Sequence, residues 1–301
     1  MLRKHRQASA PLGVAERFGL HHSAFSLAFP PALFPLFAPV KCPLFVPILF
    51  VANFTRFFQT VVPVTISLFI PCFVDLMYPQ VGISMVRIFE QLGHKVVVPK
   101  GPACCGQPAF NTGYWDESRA IATQVMEAYQ DAEVVVIASG SCGAMMKVFY
   151  PELFAGTKYE AMARALAPKC YEFSGFLVNK LGVTDLGAKF PHKVTFHDGC
   201  HGLRELNNKR PPRELLAKVK GLELVEMGAA ETCCGFGGTF SAKFPAISTA
   251  MGEVKCASAL ETKADYVVSC DSSCLMQIQG LADKQKKGIK TIHLAEVLAQ
   301  S

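Results

Sequence analysis

The sequence predicts an α/β fold made of two tandem Rossmann-like halves, each with a parallel sheet, related by internal duplication. Three observations support this prediction. From Val64 onward, short β-branched runs alternate with helical segments, which is the pattern of parallel strands joined by helices. The order of these segments repeats after about 130 residues. Cysteines recur at equivalent places in both copies, each just beyond the carboxyl end of a predicted strand.

The first half begins with a predicted strand and a helix whose apolar residues recur at helical spacing, which indicates a face turned toward a core. These apolar residues are Val81, Met85, Ile88, Phe89 and Leu92. The strands are predicted at 65–70, 95–98 and 133–138, and further helices at 115–129, 143–153 and 173–181.

The second half repeats this order. Its strands are predicted at 193–197, 222–226, 266–269 and 290–293, and its helices at 212–219 and 241–262, with a short helix at the end. We therefore expect two cysteine-rich domains, one over residues 64–185 and the other over residues 186–301.

Residues 1–63 differ from the rest, since they hold ten of the 23 phenylalanines, eight of the 19 prolines and one acidic residue. Four prolines (Pro30, Pro31, Pro35 and Pro39) would break a helix in the uncharged run 23–40, which argues against a membrane span. No signal-peptide pattern is present either. We expect this extension to lie outside the fold, as an upstream translation before a non-standard start, and the protein to be cytoplasmic.

Net charge excludes a nucleic-acid-binding protein. The formal charge is +6, but residues 1–63 hold six Lys/Arg against one acid, and the remainder holds 24 against 23. No basic stripe with interleaved aromatics remains to bind a phosphate backbone.

Nine of the twelve cysteines form two matching sets. Equivalent members are separated by 128, 129 and 132 positions. Because the carboxyl ends of parallel strands share one edge of a sheet, each set is expected to converge there as metal ligands. The candidate ligands are Cys72, Cys104, Cys105 and Cys142 in the first half and Cys200, Cys233, Cys234, Cys270 and Cys274 in the second.

Such a set of thiolates suits either zinc or an iron–sulfur cluster. Zinc sites usually draw on close Cys-x-x-Cys pairs within one small hairpin, whereas these ligands come from three loops of a domain with its own core. The pattern therefore favours an iron–sulfur cluster, expected to be of the 4Fe-4S type. Since Ala138 stands where the second half has Cys270, the chain is predicted to hold one cluster or two.

Other residues near the cysteines have alternative interpretations. Gly106, Gly235, Gly237 and Gly238 follow the cysteine pairs and are predicted to let backbone N–H groups approach the cofactor, although ordinary turn glycines would look the same. His197 and His201 flank Cys200 as ligands, proton donors or packing residues. Cys42, Cys170 and Cys256 belong to neither set. No flavin or nicotinamide fingerprint follows a strand, so no catalytic residue is assigned, and the substrate is expected to be oxidised mainly on another chain.

Four segments carry a family resemblance: CCGQPAFNTGY at Cys104, HDGCHGLREL at His197, CCGFGGTFSAKF at Cys233 and CDSSCLMQI at Cys270. They resemble the lactate utilisation protein A family, from about Val64 to the C-terminus. The duplicated motif is also similar to the cysteine-rich CCG domain found in heterodisulfide reductase and in the iron–sulfur subunit of glycolate oxidase.

The resemblance implies an iron–sulfur electron-transfer subunit that works with two partner proteins, one of them of ferredoxin type, in oxidising L-lactate to pyruvate. In the heterodisulfide reductase relatives, five cysteines of each motif hold a noncubane cluster; this chain lacks the fifth cysteine in its first copy and has Cys-x-x-x-Cys in its second. Two alternatives remain: a thiol–disulfide reductase of heterodisulfide type, and a non-enzymatic, zinc-bound scaffold.

Overall fold

Two four-stranded parallel sheets, one from each half, form the centre of the protein. The computed structural model describes residues 63–300, so the predictions for the N-terminal extension lie outside the described residues, apart from Pro63. The first sheet has the order β2-β1-β3-β4, and its strands are β1 (Thr65–Phe69), β2 (Lys95–Val97), β3 (Val134–Ile137) and β4 (Cys170–Glu172). The second has the order β6-β5-β7-β8, and its strands are β5 (Lys193–His197), β6 (Glu223–Leu224), β7 (Tyr266–Ser269) and β8 (Lys290–His293).

Helices connect the strands of both sheets. In the first half they are α1 (Cys72–Met77), α2 (Pro79–Gln91), α3 (Gln107–Asn111), α4 (Trp115–Tyr129), α5 (Gly140–Ala144), α6 (Tyr150–Leu153), α7 (Glu160–Leu166) and α8 (Phe173–Gly175). Turns of π-helix at Met145–Phe149 and Phe176–Lys180 and a 3₁₀ turn at Ala167–Lys169 interrupt this series. In the second half they are α9 (Cys200–Arg204), α10 (Arg210–Leu216), α11 (Thr239–Lys243), α12 (Pro245–Glu261), α13 (Ser272–Lys284) and α14 (Leu294–Leu298).

Strand register supports the duplication. In the first sheet Phe69 of β1 lies opposite Ile137 of β3, and in the second His197 of β5 lies opposite Ser269 of β7. These pairs are related by the same offsets of 128 and 132 positions that relate the cysteines. The predicted α/β class, with two Rossmann-like parallel-sheet halves and cysteines beyond the carboxyl ends of the strands, is confirmed.

Some elements differ from the prediction. The sequence does not predict strand β4, which directly follows the Pro168-containing 3₁₀ turn. A strand of three residues is too short to show the alternation of buried and exposed side chains. The helix predicted at 143–153 is divided by the π turn into α5 and α6. Within residues 63–300, no helix combines the length and apolarity that crossing a membrane requires.

One hydrophobic core joins the two sheets. Phe89 of α2 packs edge-on against Phe173 and Phe176, with ring centroids 5.7 and 5.8 Å apart. The same cluster of buried side chains contains Phe196 of the second sheet and Leu294 of α14. The carboxyl-terminal helix therefore contributes to the core around α2, near the start of the chain's first half.

Acid is expected to destabilise the protein through His293. This side chain is buried at the end of β8, and its Nδ1 accepts a hydrogen bond from the Ala295 N–H at 3.1 Å, which caps α14. Burial lowers the pKa of His293 to about 4, so the unfolded chain takes up the proton first as the pH falls. The stabilisation is complete above pH 6.5 and is lost on acidification toward pH 4, by about 3 kcal/mol.

Urea unfolding of the metal-free protein at several pH values tests this expectation. His293→Asn keeps a side-chain acceptor for the cap but cannot be protonated, so its free energy of unfolding should change less between pH 7 and pH 4.5 than that of the wild type. Equal changes in the two proteins would show that His293 is not the responsible group.

Candidate metal centre

Equivalent elements position the cysteines in the two halves. Cys72 and Cys200 begin α1 and α9, directly after the first strand of each sheet. The adjacent pairs lie in the loops that follow β2 and β6. Cys142 and Cys274 lie in the first turns of α5 and α13, which follow β3 and β7. In each sheet the chain crosses from one side of the first strand to the other, so that the first and third strands of each half, β1 and β3 or β5 and β7, are neighbours. Ligands of open parallel sheets usually bind at the carboxyl ends of two such strands.

The structure brings eight of the predicted ligands to one cavity that both halves share. We call the two groups the first quartet (Cys72, Cys104, Cys105 and Cys142) and the second quartet (Cys200, Cys233, Cys234 and Cys274). Burial follows the same order in both: the first two cysteines of each quartet are half-buried and the last two are buried. All eight are free thiols.

In the first quartet the sulfur atoms are close enough to share protons. Cys105 Sγ lies 3.3 Å from Cys142 Sγ, and Cys104 Sγ accepts a hydrogen bond from the Gly106 N–H at 3.4 Å. A hydrogen bond from the Cys72 thiol lowers the pKa of Cys104 to about 6, helped by the Gly106 N–H. The same hydrogen bond raises the pKa of Cys72, so Cys104 is the thiol of this pair that ionises more readily.

The second quartet repeats this arrangement. The Gly235 N–H donates to Cys233 Sγ at 3.4 Å, and the Phe236 N–H donates to Cys234 Sγ at 3.5 Å. A hydrogen bond from the Cys200 thiol, with another from Cys234, holds the pKa of Cys233 well below its ordinary value. Because metal ligands must be thiolates, binding at either quartet is expected to release protons.

A histidine points to a bound group at the second quartet. His197 ends β5 and is fully buried, and its ring nitrogens make no hydrogen bond of ordinary geometry within the described part of the chain. One of its nitrogens and the sulfur atoms of Cys234 and Cys274 all lie within 4.8 Å of one another. Burial, together with the charge of Lys255, lowers the pKa of His197 to about 3, so the imidazole is neutral. A neutral, buried and unpartnered imidazole can donate to an anionic sulfur or bind a metal.

Two of the four predicted glycines donate N–H groups directly to cysteine sulfur, namely Gly106 and Gly235. Gly237 and Gly238 line the cavity without such a bond. Gly235 has φ +88°, and a Cβ atom there would lie 2.4 Å from the Ser248 carbonyl oxygen. The turn that aims the Gly235 N–H at Cys233 therefore requires glycine.

Gly235→Ala is expected to destabilise the protein by about 2 kcal/mol or more, since it combines left-handed strain with a backbone clash. Gly93→Ala is the matched control, because Gly93 follows the end of α2 with a φ of +82°, but the added Cβ would meet nothing within 4 Å. Chemical denaturation of both variants measures the difference. A Gly93→Ala variant as unstable as Gly235→Ala would contradict this account of the turn.

The structure does not bring Cys270 to the cavity. This residue follows β7 and is buried in the core between the sheets, where its Sγ lies 3.8 Å from Ser174 Oγ of the first half. Its counterpart Ala138 follows β3 and belongs to the same core. The position directly after each third strand therefore faces the interior, four residues before the loop cysteine that faces the cavity.

Cys170 and Cys256 are fully buried away from the quartets. Their sulfur atoms approach the carbonyl oxygens of Leu166 and Ile278, at 3.5 and 3.8 Å. His201 does line the cavity, with its ring edge-on to Phe149 at a centroid distance of 5.9 Å. Cys42 lies outside the described residues.

Asp271 links the loops of the two quartets, although no sequence pattern distinguishes it from other aspartates. Its buried carboxylate accepts hydrogen bonds from Ser139 Oγ at 2.6 Å and from the Ser141 N–H at 3.1 Å, in the loop that carries Cys142. Asp271 itself precedes the helix that carries Cys274. A side chain of the second half thus fixes a cysteine loop of the first.

Comparisons with known proteins agree with this description. The family model described as "Cysteine-rich domain" (CCG) matches residues 66–147 and 194–279, one match in each half. Lactate utilization protein A of Geobacillus thermodenitrificans is 46% identical over 234 residues, which cover 77% of this chain and 98% of the relative. Lactate utilization protein A 2 of Bacillus cereus is 41% identical over 236 residues, which cover 78% of this chain and 98% of the relative.

A solved structure shares the fold at low identity. The crystal structure of a hypothetical protein from Helicobacter pylori matches with a TM-score of 0.55 and 12% sequence identity over 79% of this chain. The match spans about half of the Helicobacter chain, 48% of its length. At this identity the likeness concerns the fold alone.

Proposed function

Because this chain belongs to the lactate utilization protein A family, we propose that it is an iron–sulfur electron-transfer subunit in the oxidation of L-lactate to pyruvate. The observation that carries the proposal is the pair of cysteine quartets that line one cavity from opposite halves of the chain. Two redox centres that face the same cavity are placed to exchange electrons with each other and with a partner at its mouth.

The donor set fits iron–sulfur clusters. Each quartet supplies four thiols, and in each quartet one of them, Cys104 or Cys233, is already polarised toward the thiolate form by a backbone N–H group and a neighbouring thiol. The unpartnered His197 and the N–H groups of Gly106 and Gly235 are donors that an anionic cluster can accept from. A bound cluster would supply one-electron exchange at a potential set by its ligands, its hydrogen bonds and its burial.

The residues of this chain would hold and insulate the two centres. Phe73 and Phe236, which follow a cysteine of each quartet, meet edge-on across the cavity with ring centroids 5.2 Å apart. By the offset of the duplication, their counterparts are the polar residues His201 and Gln107, which also line the cavity. Gln107 Nε2 donates to the Ser141 carbonyl oxygen at 3.1 Å, next to Cys142. One part of the cavity wall is therefore aromatic and the equivalent part is polar.

Lactate oxidation to pyruvate releases two electrons and two protons. We propose that this chain accepts the electrons one at a time and that a separate chain binds lactate and takes its protons. Two partner proteins, one a ferredoxin-type iron–sulfur protein, complete the system in this proposal, which places all three in the cytoplasm.

A thiol–disulfide reductase is the second candidate, and the shared cavity is the observation that favours it. A small disulfide that enters between the quartets would meet both of them at once. Purified protein given a low-potential electron donor and a mixed disulfide distinguishes the two functions. Turnover of the disulfide supports the reductase, whereas reduction of the protein without turnover supports electron transfer.

Growth on lactate tests the proposed function. The gene is deleted from its host and replaced by either the wild-type gene or one encoding Cys142→Ala/Cys274→Ala, which removes a buried ligand from each quartet. We expect growth on L-lactate with the wild-type gene only, and growth on pyruvate with both. Equal growth on lactate would contradict a role for the quartets in lactate oxidation.

A further inference from the structure

The two quartets lie against walls of different polarity. Helices α4 and α12 are equivalent, since their buried serines, Ser118 and Ser248, are separated by 130 positions and pack against the equivalent glycines of the two cysteine turns. At the same offset the buried Lys255 of α12 takes the place of the buried Val125 of α4. An ammonium group therefore stands in the second half where the first half has an isopropyl group.

The last residues of the equivalent strands β1 and β5 show the same difference. Phe69 ends β1 and His197 ends β5, and both are buried. Phe69 and Val125 belong to one apolar cluster together with Cys105 and Cys142 of the first quartet. The second quartet is thus bordered by polar groups at two positions where the first is bordered by hydrocarbon.

Lys255 lacks the partner that a buried ammonium group normally has. Its side chain is 0% exposed, and its Nζ donates to the carbonyl oxygens of Ala229 and Ala230. Within residues 63–300, no carboxylate oxygen lies within 4 Å of this Nζ. The nearby Asp198 already binds Arg213 through two hydrogen bonds of 2.8 Å. Burying a cation without a counter-charge is costly, so this arrangement indicates that negative charge is supplied from elsewhere.

The second quartet is the source of that charge. Gly252 shares the buried face of α12 with Lys255, and a Cβ atom on Gly252 would lie 3.3 Å from the Cys234 carbonyl oxygen, so this face packs against the second quartet. Burial lowers the pKa of Lys255, and thiolates at Cys234, Cys274 and Cys233 would act in the opposite direction. A cluster held by four thiolates is anionic, and it would stabilise the ammonium form of Lys255 as its counter-charge.

We propose that Lys255 raises the reduction potential of an iron–sulfur cluster held by the second quartet above that of a cluster held by the first. This inference rests on the proposed function. Reduction adds one electron and hence one negative charge to the cluster. A fixed cation nearby stabilises this charge electrostatically, with no bond formed or broken and no proton transferred. The first quartet has Val125 at the equivalent position and lacks this stabilisation. When the two clusters share one electron, that electron therefore resides mainly on the cluster of the second quartet.

Potentiometric titration of the full chain, followed by electron paramagnetic resonance under anaerobic conditions with dithionite as reductant, tests the proposal. In the Cys142→Ala variant only the cluster of the second quartet should remain, so its titration curve identifies that cluster in the wild type. We expect its midpoint potential to be the more positive of the two. At a fixed potential near that midpoint, Lys255→Met should lower the ratio of reduced to oxidised cluster by about tenfold. For a one-electron couple this corresponds to a shift of about 59 mV.

Val125→Met is the matched control, because it introduces the same side chain at the equivalent place without removing a charge, and it should shift neither midpoint potential. If Lys255→Met fails to retain iron, Lys255→Gln gives the same measurement, since its amide can still donate to the backbone carbonyls. The inference would be overturned if the cluster of the second quartet had the more negative midpoint potential. It would also be overturned if neither Lys255→Met nor Lys255→Gln shifted that potential. Wild-type protein without iron and sulfide would instead defeat the proposed function.

Discussion

Cys142→Ala is expected to remove about half of the protein's iron and acid-labile sulfide, and Cys274→Ala the other half, because each takes one thiolate from a different quartet. The double variant should hold neither. Within residues 63–300, every other cysteine either belongs to a quartet already or lies outside the shared cavity, so none is placed to substitute for these two.

Cys270→Ala is the decisive control for this prediction. It makes the same chemical change four residues from Cys274, and alanine already stands at the equivalent Ala138. Because the Cys270 sulfur lies against Ser174 and outside the cavity, this variant should retain its iron and sulfide. Iron and sulfide analysis of the wild type and the four variants, prepared side by side without oxygen, makes the comparison. If Cys270→Ala lost as much iron as Cys274→Ala, a five-cysteine site would replace the quartet.

Asp271→Ala is expected to lower the free energy of unfolding by about 3 to 5 kcal/mol, since it removes two hydrogen bonds to a buried carboxylate and leaves a backbone N–H unpaired, while Ser139 Oγ keeps only Ser141 Oγ as a partner, at 2.9 Å. The donors are Ser139 Oγ and the Ser141 N–H, across the boundary between the halves. A Cβ atom on Gly199 would lie 2.1 Å from Asp271 Oδ2, which shows how closely the second cysteine loop packs on this carboxylate. Iron should therefore be lost from both quartets.

Asp265→Ala provides the comparison for Asp271→Ala. Asp265 also accepts a hydrogen bond from a backbone N–H, that of Lys193 at 3.0 Å, but its side chain is 54% exposed. Solvent can replace this bond, so the expected loss is below about 1 kcal/mol. Urea denaturation with parallel iron analysis measures both variants. Similar losses of stability, or full iron content in Asp271→Ala, would show that Asp271 does not hold the quartets together.

The sequence was sufficient to predict the sheets and the quartets because both depend on local pattern. Buried β-branched runs such as Val134–Ile137 indicate strands by themselves, and cysteines just beyond strand ends must meet at one sheet edge. The three residues of β4 were missed because a strand of that length has no alternation to detect. The sequence predicts Cys270 as a ligand beside Cys274, because proximity along the chain does not reveal which way a side chain points after a strand ends.

The shared cavity could not be predicted, because it depends on how the halves pack. Helices α5 and α9 approach closely at Gly140, where a Cβ atom would lie 2.9 Å from Gly202 Cα. Neither glycine is distinguished in the sequence from an ordinary turn glycine. Lys255 was missed for a related reason: a lysine in a helix normally indicates the solvent-facing side, and only the offset from Val125 marks its position as buried.

If each quartet holds an iron–sulfur cluster, the iron, zinc and acid-labile sulfide content of protein made and kept without oxygen shows it most directly. Ultraviolet-visible and electron paramagnetic resonance spectra are recorded on the same samples. We expect about eight irons and eight sulfides per chain, for two four-iron clusters, and visible absorbance that dithionite bleaches. Zinc without sulfide, in colourless protein, would contradict iron–sulfur binding and favour a zinc-bound scaffold.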